Sequence, residues 1–129
     1  SLGEMSRNAL HAASRALVVT EPAYFSLRGA QQAVEAIDLV RASSNRALAS
    51  PTIVLNRVRG TVAEHRNRVA ELRDAFDRQV TEIEIPERNA IAQAESAGMP
   101  IHAWDSPAGR ELAALFDSLL DQLVPGGLR

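Results

Sequence analysis

Two short apolar runs, separated by one helical stripe, constrain this chain more than any other feature. Ala16-Leu17-Val18-Val19 is continuous and apolar, and so is Ile53-Val54-Leu55. A run without polar alternation suits a strand covered on both faces, as in a parallel sheet. Between the runs, Leu27, Ala30, Ala33, Val34, Ile37 and Val40 recur at the 3.6-residue period. That spacing predicts a helix over 27–43 with one apolar face, capped by Ser26. Strand, helix and strand at these distances make a right-handed parallel crossover.

The remaining segments extend the alternation. Pro22 stops the first run, and "SNRALASP" is a loop leading into a second strand at 52–56. After Gly60, Thr61 and Glu64 have capping-box spacing. The helix they open is expected to reach about Asp77, with Val62, Val69, Leu72 and Phe76 inward. "QVTEIEIP" (79–86) alternates, with Val80, Ile83 and Ile85 apolar, as a strand nearer a sheet edge would, and Pro86 ends it. Asn89 to Ala97 reads as a short helix stopped by Gly98. "MPIHAWDSP" is a loop, with a short extended piece expected around Ile101. Ser106 caps a last helix with Pro107 at its first position. Leu112, Leu115, Phe116, Leu119, Leu120 and Leu123 are its expected buried face, and Pro125-Gly126-Gly127 its end.

The expected fold class is α/β, one unit over 1–129, with a parallel sheet of three or so strands and flanking helices. Three strands are few for such a sheet. Residues 16–19 call for neighbours on both sides, while helix 27–43 covers one face. The physical expectation is the second half of a larger doubly wound, Rossmann-like domain. A compact three-stranded domain complete in itself is the plainer alternative.

Composition removes whole classes of chemistry. All 14 basic residues are arginine, so no Schiff base, phosphate-loop lysine or lysine general base exists in this chain. Cysteine is absent, which excludes disulfides and thiolate ligands or nucleophiles. His11, His65 and His102 are far apart and lack metal-ligand spacing, so no metal site is expected. No nucleophile motif is present, and no catalytic residue is assigned. A net charge of −2 gives no global signature of nucleic-acid binding, so any DNA contact needs a local arginine patch. No apolar run approaches the roughly 20 residues of a membrane span, and "SLGEMSRNAL" lacks the pattern of a signal peptide. Trp104 reads as a core or interface plug.

Four stretches, in order, resemble the C-terminal half of ParA-type partition ATPases, within the ParA/MinD group of deviant P-loop proteins. The first is Ser1-Leu2-Gly3 with Asn8-Ala9-Leu10. The second is the strand running into "TEPAYFSLRG", Leu17 to Gly29. The third joins Ile85-Pro86, Ala94 and Gly98-Met99-Pro100-Ile101. The fourth is the loop and leucine-rich helix from Asp105 to Leu123. The resemblance implies a parent protein that binds ATP and magnesium and dimerises around the nucleotide. That parent would contact nucleoid DNA without sequence preference, respond to a ParB-like centromere-binding partner, and be cytoplasmic. In the family pattern the lysine-bearing phosphate loop and the aspartates serving magnesium lie before residue 1. This chain alone is therefore expected to hydrolyse no ATP and to bind neither ATP nor magnesium tightly.

Residue by residue, the resemblance places Asn56 at the strand end that faces adenine. An amide offers donors and acceptors to a base edge, and open α/β sheets place ligands beyond the carboxyl ends of their strands. An asparagine opening a turn through its own backbone is the other reading of Asn56. Pro86, Arg88 and Asn89 would form the second wall of the base pocket, and the loop after Thr20 part of the dimer face. The family's "IPRN" is here Ile85-Pro86-Glu87-Arg88-Asn89, so Glu87 stands where the pattern has arginine. A DNA-linked arginine of the pattern falls on Ala90. Arg57, Arg59, Arg66 and Arg68, with Arg73 nearby, are the candidate DNA contacts. Against this stands a solvated helix face holding a Glu64–Arg68 pair worth about 0.3 kcal/mol. The last helix carries Asp117 and Asp121 but only Arg110, which argues against an anionic membrane surface. A different functional class is a non-catalytic module that self-associates through an open sheet edge. A flavodoxin-like regulator is a third reading.

Overall fold

The computed structural model describes residues 3–125. Ser1, Leu2, Gly126 and Gly127, to which the family pattern and the helix stop above refer, lie outside the described residues. The chain runs through α1 (Glu4–Ala12), β1 (Leu17–Thr20), α2 (Ser26–Ser43), β2 (Thr52–Leu55), α3 (Ala63–Phe76), α4 (Asn89–Ser96) and α5 (Pro107–Leu123). Tight 3-10 turns occupy Asp77–Gln79 and Ile101–Ala103.

β1 and β2 pair in parallel across the α2 crossover, from Leu17 opposite Thr52 to Thr20 opposite Leu55. The regular sheet therefore has two strands among the described residues, one fewer than expected. Residues 79–86 do run beside β2, but only isolated bridges join them, Ile53 to Val80 and Val58 to Pro86. The Thr81 N–H donates to the Ile53 carbonyl at 3.0 Å and the Ile85 N–H to the Leu55 carbonyl at 2.9 Å. Four residues of this track thus span two of β2. The surplus is taken up locally, where the Thr81 hydroxyl donates to the Ile83 carbonyl at 2.8 Å. A threonine hydroxyl competing for backbone in this way breaks a ladder into a bulge.

β2 is the spine of the core. Ile53 and Leu55 pack with Ala30 and Val34 of α2 and with Val69 and Leu72 of α3. Val54, pointing the other way, packs with Ile85 and Leu119 and, around them, Ile91, Leu115 and Phe116. Each such side chain contributes on the order of 1.5–3 kcal/mol by leaving water. β1 differs. Val18 packs beside Ile37, Val40 and Leu48, but Leu17 and Val19 remain 49% and 61% exposed. The two-sided cover expected for residues 16–19 is present on one face only.

Local signals were right about places and partly wrong about devices. α5 starts as expected, with the Ser106 hydroxyl accepting from the Gly109 N–H at 2.9 Å. Gly109 is required there, because a Cβ would lie 2.2 Å from the Trp104 carbonyl oxygen. Gly98 ends α4 in the left-handed region, at φ +67°. The Thr61/Glu64 capping box does not form. α3 begins one residue later than that box requires, after Val62 and with no side-chain cap, and Glu64 pairs with Arg68 instead. Ser26 is the first residue of α2 rather than its cap. Its hydroxyl closes the preceding turn, accepting from the Ala23 N–H at 2.7 Å and donating to the Glu21 carbonyl. Ile101 lies in a 3-10 turn, not an extended piece. Leu120 is 41% exposed, off the buried stripe of α5.

Candidate functional site

The carboxyl ends of β1, β2 and the third track meet at one rim. The Asn56 N–H donates to the Thr20 carbonyl at 2.9 Å, on the β1 side. Two residues later the Val58 N–H donates to the Ile85 carbonyl at 3.0 Å, on the other side, and Val58 accepts from the Glu87 N–H at 3.1 Å. A regular strand would send residues 56 and 58 to the same side. The switch is made at Arg57, whose backbone is left-handed at φ +57°. For a residue with a Cβ this region is uncommon and costs free energy.

Just outside the rim is a cleft of about 320 Å³, lined by Asn56, Arg57, Pro86, Glu87, Arg88 and Ile91, with Glu95 at its border. Its size is at the lower end of small-ligand sites. Among the described residues the Asn56 side chain makes no hydrogen bond, so it does not close a turn of its own, and both its donor and its acceptor remain available. The structure thus brings Asn56, Pro86 and Arg88 together. Asn89 falls elsewhere. It lines a neighbouring, wider depression of about 650 Å³ between the starts of α4 and α5, together with Arg88 and Glu111. Arg88 stands on the ridge between the two, 3.6 Å from Glu111.

Electrostatics at the rim are set by carboxylates. Arg57 Nε and Nη2 donate to the two Glu87 carboxylate oxygens at 3.0 and 3.3 Å. Its Nη1 donates to Glu21 at 3.2 Å. Hydrogen bonds to Glu87, then to Glu21, raise the Arg57 pKa above its already high ordinary value. Arg68 is held similarly, by Glu64 at 2.7 Å and Glu71 at 2.9 Å. Those bonds raise its pKa as well, Glu64 contributing most. Its guanidinium also lies 5.2 Å over the Tyr24 ring. Arg73 pairs with Glu84 at 2.9 Å. Arg66 donates to the Gly60 carbonyl at 2.9 Å, and the Arg59 N–H is fixed by His65 Nδ1 at 2.9 Å. Of the four arginines expected to meet DNA, Arg59 and Arg66 form no ion pair among the described residues.

Three residues, two at this rim and one at the opposite end of the sheet, carried no role in the sequence. Glu21 and Glu87 hold Arg57. Asn45 donates through Nδ2 to the Leu10 and Ala13 carbonyls, both at 2.9 Å, and so ties the end of α1 to the loop before β2. The replacement of the pattern's arginine by Glu87 was the available signal for the first two. Among the described residues no group of three or more His, Asp or Glu side chains is placed to hold a metal ion.

No protein-family model matches the chain. It is, however, 32% identical over 105 residues to the chromosome partitioning protein ParA of Myxococcus xanthus, strain DK1622. The chain is a relative of ParA. The matched region is 81% of this chain and 37% of the longer protein, as a C-terminal portion of a ParA-type protein would give. The chain thus spans little more than a third of the length of the ParA it matches. No described helix of this ParA relative is long and apolar enough to cross a membrane.

Proposed function

We propose that the chain is the base-binding portion of a ParA-type, deviant P-loop ATPase that partitions DNA. The observation that carries this is the Asn56 amide, without a side-chain hydrogen bond among the described residues, in a cleft walled by Pro86 at the rim of a parallel sheet. The name of its relative supports the partitioning role. The charge at the rim fits a base better than phosphates. The cleft is lined by Glu87 and Glu95 against Arg57 and Arg88. Both guanidiniums are already engaged, Arg57 by Glu87 and Glu21 and Arg88 by Glu111, so among the described residues no free positive charge faces it. A neutral ring with N–H donors suits such a wall, whereas the lysine of a P-loop phosphate site is absent from this chain.

In this proposal ATP is held at its purine end by Asn56, Pro86 and Arg88, with Asn89 outside the contact. Magnesium and the phosphates belong to residues that this chain does not contain. The edge of β1 away from β2 is where further strands of the Rossmann-like sheet are added, and the bare face over Leu17 and Val19 is where their helices pack. The parent dimerises around nucleotide and answers to a ParB-like partner. It contacts nucleoid DNA with Arg59 and Arg66, the two candidates not already paired to carboxylates. The experiment is a titration of the isotopically labelled chain with adenosine, followed by amide chemical shifts. Shifts at Asn56 and Glu87, lost in Asn56→Ala, are expected at millimolar adenosine. No shift at the rim would overturn the base assignment. Mixed with ATP and magnesium, the chain should release no phosphate above background.

A further inference from the structure

We propose that Arg57 is a positioning residue that straps together the three segments leaving the carboxyl end of the sheet and so sets the width of the base cleft. As a statement about the cleft, it rests on the proposed function above. The strap reaches Glu21, which follows β1, and Glu87, which follows the third track, from a residue that follows β2. Arg57 and Glu87 themselves line the cleft, next to Asn56 and Pro86 in the chain. The contact to Glu87 is bidentate, which fixes orientation as well as distance. An ammonium could supply the charge but not the planar fork.

The backbone shows why a strap is needed at this point. Below it, ladder bonds hold the tracks: Asn56 to Thr20, Ile85 to Leu55. At Arg57 the ladder is interrupted by the left-handed residue, and beyond it only the Val58–Pro86 bridge remains. The cleft begins at that interruption. The Glu21 arm adds a second consequence. It ties the cleft to the loop bearing Tyr24 and Phe25, whose rings stand edge to face at 4.8 Å and are largely exposed. Opening of the cleft and displacement of that loop are therefore expected to occur together.

The test compares the full chain with Arg57→Gln, Arg57→Lys and the charge swap Arg57→Glu/Glu87→Arg, the swap carrying Glu21→Gln as well so that the new carboxylate at 57 does not face Glu21. Two readouts are taken: amide hydrogen exchange of Val58 and Glu87, and adenosine affinity from shift titration. Arg57→Gln should speed exchange at both amides about threefold or more relative to the Leu72 amide of the core, and weaken adenosine about threefold, the scale of partly exposed ion pairs. The charge swap should recover most of both losses, and the lysine only part. A merely structural loss would accelerate the core amide equally and would not be rescued by the swap, and that outcome overturns the proposal. Unchanged exchange at Val58 and Glu87 overturns it too, whatever adenosine does. Accelerated, rescued exchange in a chain whose wild type shows no adenosine shifts would support the strap and refute the base assignment alone.

Discussion

β1 and β2 have the same length, the same apolar character and a common register, yet they sit in different solvents. Ile53 and Leu55 of β2 are fully buried, whereas Leu17 and Val19 of β1 are 49% and 61% exposed. The difference lies in what surrounds them. β2 has α2 and α3 on one face, α4 and α5 on the other, and the third track along its edge, giving Val80 to the first face and Ile85 to the second. β1 has α1 and α2 on the Val18 side and no packed layer, among the described residues, over Leu17 and Val19. An apolar run in sequence thus reports the cover a strand is built for, not the cover that one stretch of chain supplies.

The sharpest way to break this comparison is truncation at equivalent depth. Leu55→Ala and Ile53→Ala should each cost about 2–5 kcal/mol in urea unfolding, the range for large-to-small changes that leave a cavity. A loss under 1 kcal/mol would mean that β2 is not the spine. Next in size is Gly109→Ala, which tests how the Val54 side of β2 is kept covered. The added methyl meets the Trp104 carbonyl oxygen, a backbone atom that cannot rotate away. The start of α5 must shift, at a cost of about 1–3 kcal/mol, and the amide shifts of Val54 and Leu119 should move with it. Unchanged stability would show that the loop before α5 gives way freely.

How far these contrasts were legible depended on whether the signal was local. The β1–α2–β2 crossover, the Ser106 cap and the Gly98 stop each rest on a few neighbouring residues, and each formed. The third strand failed because alternation in 79–86 reports a half-buried face, while the ladder also needs matched residue counts against β2, which the bulge at Thr81–Ile83 removes. The Thr61/Glu64 box lost its glutamate to Arg68, which also engages Glu71 and lies over Tyr24. At the rim, Asn56 and Pro86 were placed by the resemblance. The strap of Arg57 on Glu21 and Glu87 joins residues 36 and 30 positions apart in the chain, and no periodicity encodes such a contact.

A smaller effect separates the two ends of β1. Asn45 satisfies two carbonyls at and beyond the end of α1, so Asn45→Ala leaves them to water or unpaired. A cost of about 1–2 kcal/mol follows from the loss of these part-buried bonds. Exchange should accelerate in α1 and at Ala49, whose N–H bonds to Ser14 at 3.0 Å, while the β2 amides stay protected. Loss of protection in β2 as well would make α1 part of the core rather than an appendage at its edge.

The smallest expected effect tests the open face directly. Val19→Thr replaces a methyl by a hydroxyl at nearly constant shape and keeps a β-branched side chain in the strand. Where water already reaches the position, the hydroxyl costs little, so the chain's unfolding free energy should change by no more than about 0.5 kcal/mol. The matching change on the facing strand, Val54→Thr, buries a hydroxyl among Ile85 and Leu119 and should cost about 1–3 kcal/mol. Equal penalties at the two positions would mean that Val19 is covered in solution. Their dependence on protein concentration would then say by what: a penalty that grows with concentration points to a second copy, and one that does not points to the chain itself.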